Sequence, residues 1–118
     1  MNKVYLIGNM TKDVELFETT SGLRIVKFSV AVNRNYSNED GERITDFFNV
    51  VAWRNLADSC KKYLRKGSKV AVVGSLQNRS YEDKDGVSRR VTEIIATEVE
   101  FLSMPNNKED AQVYQRNL

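Results

Sequence analysis

From Arg24 to Arg34, apolar side chains recur at every second position. Val26, Phe28, Val30 and Val32 fall on one side, and Lys27, Ser29 and Asn33 on the other. That period belongs to a β-strand with one buried face, because a helix would scatter the four apolar residues around its surface. A half-buried strand needs neighbours on both edges and a covering layer, so the rest of the chain must supply them.

It does so with more strands. Lys3–Asn9 alternates well enough for a strand, bent or interrupted near Gly8. Thr19-Thr-Ser-Gly22 is a turn, and a loop through Asp40-Gly41 leads to a strand over Asp46–Trp53. Two long strands, Ser68–Tyr81 and Ser88–Met104, flank a polar hairpin turn, with Gly74 marking a bend or bulge. One helix interrupts the series, from Asn55 to Lys66. Asn55 is its expected cap, and Asp58 is placed to favour the positive end of the dipole. Leu56, Cys60, Tyr63 and Leu64 form its apolar stripe, and Gly67 its expected left-handed stop.

The expected class is therefore all-β with one helix. Five bent strands with a helix between strands 3 and 4 make the five-stranded OB-fold barrel, whose exposed sheet face and hairpin loops often bind oligonucleotides. Residues 1–104 form this single domain, and 105–118 a polar segment expected to be mobile.

Composition narrows the chemistry. There is no histidine and one cysteine, Cys60, so His-based acid/base catalysis, ordinary zinc sites and an intrachain disulfide framework are out of reach. The lone cysteine fits a reducing cytoplasm. Cys60 lies on the helix stripe and reads as a small buried hydrophobe. The six glycines are dispersed and form no phosphate-cradling motif. Asp83 and Asp85 fall in a turn, where turn formation explains them. The residues thus point to no enzyme, metal or cofactor. No apolar run approaches the ~20 residues of a membrane helix, and the N-terminus reads as a strand, not a signal peptide.

Charge is uneven. Residues 1–60 carry 7 basic and 8 acidic groups, residues 61–90 carry 9 and 3, and residues 91–118 carry 2 and 5. A local cationic stretch attracts phosphate even in a nearly neutral chain.

Four aromatic residues sit where the core does not need them. Tyr36 and Tyr81 each lie five residues before the glycine of a polar turn, Tyr36-Ser-Asn-Glu-Asp-Gly41 and Tyr81-Glu-Asp-Lys-Asp-Gly86. Phe47 and Trp53 share one face of their strand, opposite Phe48, Val50 and Ala52. Outward rings with nearby cations suit unpaired nucleic-acid bases, each of which has a π-face to stack. Brace roles in the hairpins (Tyr36, Tyr81) and packing (Trp53) are the alternatives. Tyr5 and Ile7 face away from Val4 and Leu6, so one pair needs a cover, which a second subunit would provide. Phe48 packs in the core or against that subunit.

Several segments closely resemble the bacterial single-stranded-DNA-binding protein (SSB) family: Asn2-Lys-Val-Tyr-Leu-Ile-Gly-Asn9, Thr11-Lys-Asp13, Val30-Ala-Val-Asn-Arg34, Tyr63-Leu-Arg-Lys-Gly-Ser68 and Thr92-Glu-Ile94. The resemblance covers residues 2 to about 104 in one order. It implies a homotetramer of OB-folds that coats single-stranded DNA in replication, recombination and repair, in the cytoplasm with the nucleoid. The preference for DNA over RNA comes from the resemblance alone. It also implies base stacking at Tyr36, Phe47, Trp53 and Tyr81, where the family often has Trp at the first, second and fourth positions. Phosphate contacts are expected from Arg34, Arg54, Lys62, Arg65, Lys66, Arg79 and Lys84, of which Arg65, Lys66 and Arg79 carry over by resemblance. Some members have basic residues where this chain has Asn49, Asn55 and Gln77.

Replicative members of the family end in a Gly/Gln-rich linker and an acidic, Phe-terminated tip that recruits replication and repair proteins. The sequence to Leu118 contains neither, so such partners are expected only with a tip beyond it. Two rival classes remain at this stage. One is an OB-fold protein-interaction module in replication restart, with the rings as a partner patch. The other is an OB-fold nuclease, which would need clustered carboxylates for metal and a transition-state arginine, a constellation the sequence does not display.

Overall fold

Two glycines lie where strands cross most closely, and they locate the closure of the molecule. The computed structural model describes residues 1–103; the 105–118 segment and Met104 lie outside the described residues. Strand β1 is Val4–Met10, β3 Arg24–Ser37, β4 Arg43–Trp53, β5 Lys69–Glu82 and β6 Ser88–Ser103. A short β2, Glu15–Glu18, precedes β3, and helix α1, Arg54–Tyr63, follows β4.

β1 first pairs antiparallel with β5, from Val4↔Gly74 to Asn9↔Lys69, then reaches β3 through Asn9↔Ala31 and Met10↔Val30. A Cβ on Gly8 would overlap the Ala31 carbonyl oxygen, so only glycine lets β1 approach β3 there. A Cβ on Gly74 would likewise strike the Ile95 carbonyl, at a register shift in the β5–β6 ladder. This is the bend expected at Gly74. β4 joins β6 through a parallel seam, Val50↔Ile94 and Val51↔Ile95. The five long strands therefore close as β1–β3–β4–β6–β5–β1, the OB-fold barrel read from the sequence.

β2 was not expected. All four of its residues are exposed, so no burial pattern reveals it. Its ladder is borrowed from β3, from Glu15↔Lys27 to Glu18↔Arg24. Counted among five barrel strands the helix sits where expected; with β2 counted it lies between the fourth and fifth strands.

The core is filled by the alternating residues of the strands. Val26, Val30, Val50, Val70, Val72 and Ile94 are fully buried. Burying each such side chain contributes about 1.5–3 kcal/mol. Ala57 and Cys60 of the helix, and Leu64 just past its end, join this buried cluster, with Leu56 packed against it. Tyr63 instead stays half exposed, its ring 5.5 Å from that of Phe101.

The helix ends differ from the sequence reading. It starts at Arg54, the preceding Trp53 is extended, and no side chain caps it; Asn55 sits within the first turn. Asp58 serves a tertiary contact, accepting Nε and Nη2 of Arg24 at 2.6 and 2.8 Å. The helix stops at Tyr63 because the next residues are claimed elsewhere. The Lys66 amide donates to Asp13 Oδ1 at 2.8 Å, and Gly67 N to the Met10 carbonyl at 2.9 Å. The buried Ser68 hydroxyl accepts from the Arg65 amide at 3.1 Å. Gly67 is left-handed, at φ 90°.

Candidate nucleic-acid interface

Register places the aromatic residues. Opposed residues in antiparallel strands point to the same side. Val50 and Phe28 are opposed and buried, so the alternate pairs form the outer face: Phe47 with Ala31, Asn49 with Ser29, Val51 with Lys27, and Trp53 with Ile25. Phe47 and Trp53 stand on that outer face, 66% and 40% exposed. Phe48, opposed to Val30, packs against the core. Its expected role as a subunit contact therefore has a competing structural explanation. Tyr5 and Ile7 remain uncovered on β1.

A cleft of about 330 Å3 opens over the middle of this face. Ser29 and Asn49 form its floor. The loop after β1 supplies one wall with Lys12 and Asp13, and the β5–β6 arm supplies the other with Arg79, Tyr81 and Glu93. Lys27 and Glu15 line its end toward β2.

The arm is held stiff at its tip. Asp83 Oδ1 accepts the Asp85 and Val87 amides, each at 3.0 Å, and Oδ2 accepts Arg89 Nε at 2.9 Å. These donors keep the Asp83 carboxyl below its ordinary value, with the Arg89 bond the largest cause. The β3–β4 tip uses the same device: Asn38 Oδ1 accepts the Asp40 and Glu42 amides at 3.0 and 2.9 Å. Each turn is thus anchored two residues after its tyrosine, Tyr36 or Tyr81.

The cations fall into two groups. Arg34 and Arg79 are committed to carboxylates. Arg34 donates Nε and Nη2 to Asp46 at 2.9 and 3.1 Å, and Nη1 to the Tyr36 hydroxyl at 3.3 Å. The Arg34 pKa is raised, mainly by the Asp46 hydrogen bond and then that of Tyr36, and Asp46 is lowered, mainly by its bond to Arg34. Arg79 Nε lies 3.1 Å from Glu93, a mostly buried carboxylate in the cleft wall. That bond is the largest cause of its raised pKa. Arg54, Lys62, Arg65, Lys66 and Lys84 make no ion pair among the described residues. Lys62 rests on the Tyr63 ring, 5.1 Å from its centroid.

Of the seven expected phosphate contacts, only Arg79 lines the cleft. Lys62 lies in the last turn of α1, Arg65 and Lys66 just past its end, Arg54 at the β4–α1 junction in the left-handed region (φ 58°), and Lys84 in the β5–β6 turn. Tyr36, 63% exposed, stands with Arg34 and Asp46. Asp46 is opposed to Val32 on the core-side register, whereas Phe47 belongs to the outer one. Tyr81 lines the cleft together with the buried Phe28, whereas Phe47, Trp53 and Tyr36 do not. Sequence reasoning did not select Lys12 or Lys27. Their signals were the Thr11-Lys-Asp13 motif and the outward parity of Lys27. Among the described residues, no cluster of His, Cys, Asp and Glu is placed to hold a metal, and no helix is long and apolar enough to cross a membrane.

The chain has known counterparts. A Plasmodium falciparum SSB solved in complex with ssDNA superposes with a TM-score of 0.78 at 31% identity, covering 87% of this chain and 96% of that one. The Listeria monocytogenes single-stranded DNA-binding protein 2 is 46% identical over 91% of this chain and 67% of its own length. The Staphylococcus aureus single-stranded DNA-binding protein 1 is 42% identical over the whole of this chain and 76% of its own. The sequence profile of the single-strand binding protein family matches residues 1–102, and the chain belongs to that family.

Proposed function

We propose that the chain binds single-stranded DNA with little regard to sequence and coats it without catalysis. The observation that carries this reading is the cleft lined by Ser29, Asn49, Lys12, Arg79 and Tyr81 on the outward face that also carries Phe47 and Trp53. Rings there stack on bases at roughly 1–3 kcal/mol each. Cations along the cleft and helix end replace the counterions of the phosphates. A coated strand cannot re-pair or fold on itself, which is the service replication, recombination and repair require. The named relatives and the ssDNA-bound neighbour support the same ligand.

The working unit is a homotetramer. In support, Tyr5 and Ile7 project from β1 beside Val73 and Ala71 of β5, their register partners, and both stay exposed among the described residues. A gel shift with oligo-dT at two salt concentrations tests the binding. A salt-sensitive shift supports the reading, and no shift at low salt overturns it in favour of a protein-interaction module.

A further inference from the structure

β2 brings a further ring to the outer face. Phe17 is opposed to Ile25, and Ile25 to Trp53, so Phe17, Ile25 and Trp53 form one row across three strands. Two strand spacings separate the outer members, about 10 Å. Phe17 is 44% exposed on β2, which ends the sheet order. A large apolar side chain so exposed on a strand without a second neighbour contributes little to the core. The ammonium of Lys27 lies over its ring, 5.5 Å from the centroid.

Lys27 ties this row to the cleft. It lines the end of the cleft toward β2 and is opposed to Val51, between Asn49 and Trp53 along β4. It forms no ion pair among the described residues, unlike Arg34 and Arg79. A strand leaving the cleft past Asn49 therefore meets an uncommitted cation, then two rings flanking an apolar Ile25.

We infer that Phe17 and Lys27 form an additional nucleotide subsite, in which a base stacks on the Phe17 ring while Lys27 leaves that ring for the adjoining phosphate. The inference rests on the reading of this face as a single-stranded DNA track, and it extends the track to the edge of β2. The stacking surface is sequence-tolerant, because the ring reads no base edge. The cation is well suited to the exchange. A cation–π contact at an exposed site is weak, and the ammonium is a flexible point charge that phosphate can recruit.

The test measures oligo-dT affinity and its salt slope for Phe17→Leu, Phe17→Tyr, Lys27→Ala and the control Leu16→Ala. Leu16 is opposed to Val26, on the other side of β2, and its exposure is similar at 45%. Phe17→Leu keeps an apolar side chain and removes the ring, so affinity should fall roughly 5- to 30-fold with the salt slope unchanged. Phe17→Tyr should bind within twofold of the parent. Lys27→Ala should lower the slope by about 0.7. Leu16→Ala should leave affinity alone. Parent-like binding by Phe17→Leu, or an equal loss in Leu16→Ala, overturns the subsite while the parent's own binding still upholds the wider reading. A parent protein that does not bind oligo-dT removes both.

Discussion

The guanidinium of Arg79 lies 5.6 Å from the centre of the Tyr81 ring while its Nε is held by Glu93. A cation that touches both the Tyr81 ring and a mostly buried carboxylate would already be partly neutralised if a phosphate came to it. Removing it should therefore release less than one counterion's worth of salt dependence.

That comparison can be measured. Lys66, which makes no ion pair among the described residues, should contribute a full phosphate contact. Lys66→Ala is expected to lower the slope of log affinity against log salt by about 0.7. Arg79→Ala is expected to lower it by less. Equal changes in the two slopes would show that the Glu93 pair is lost on binding and does not matter to the charge balance.

Trp53 is the only tryptophan, so its fluorescence reports on one place. Adding poly-dT should quench it. Trp53→Ala should weaken binding by roughly 1–3 kcal/mol, and Trp53→Phe by less, since a ring remains. Thermal midpoints of the same variants check the alternative. A large drop in midpoint with parent affinity in the folded fraction would assign Trp53 to packing.

Much of this was legible in the residues, because burial writes itself as period two. Val26, Phe28, Val30 and Val32 announced β3, and the odd parity of Phe47 and Trp53 announced the outer face. The β3–β4 arm runs further than its apolar pattern, to Ser37 and from Arg43, since past the barrel its ladder is held by polar pairs such as the Thr45 hydroxyl donating to Asn33 Oδ1 at 2.6 Å. β2 and Phe17 escaped for the same reason. The carboxylate partners of Arg34 and Arg79 are 12 and 14 residues away in sequence. Only the strand register brings them together.

Burial pushes the Cys60 thiol up to about 12 from 9.0. The folded chain thus holds that proton more tightly than the unfolded one. The group's contribution to stability is complete below pH 9.0 and falls as pH rises toward 12. A thiol reagent at pH 8 should leave the native protein unlabelled and label it in denaturant. Rapid labelling of native protein would show that the helix opens readily from the barrel.

Assembly should be visible by light scattering. The parent is expected at the mass of four chains at micromolar concentration. Replacing Tyr5 and Ile7 with Asp and Lys should reduce that mass while the single chain stays folded, because both side chains point away from the core. A parent mass of one chain would remove the tetramer.

The seam of the barrel also sets a clock. β5 and β6 form a local hairpin with an anchored turn, but β4 and β6 meet through two residue pairs, and their partners, Val50 with Ile94 and Val51 with Ile95, lie far apart in sequence. β1 must likewise wait for β5 before it can reach Gly74. Loop-closure entropy is spent before either contact rewards it, which places such topologies among the slower two-state folders, with refolding on the order of milliseconds to seconds. The β5–β6 arm that walls the cleft is thus expected to form early, and the closed ring that fixes its position against the loop after β1 to form last.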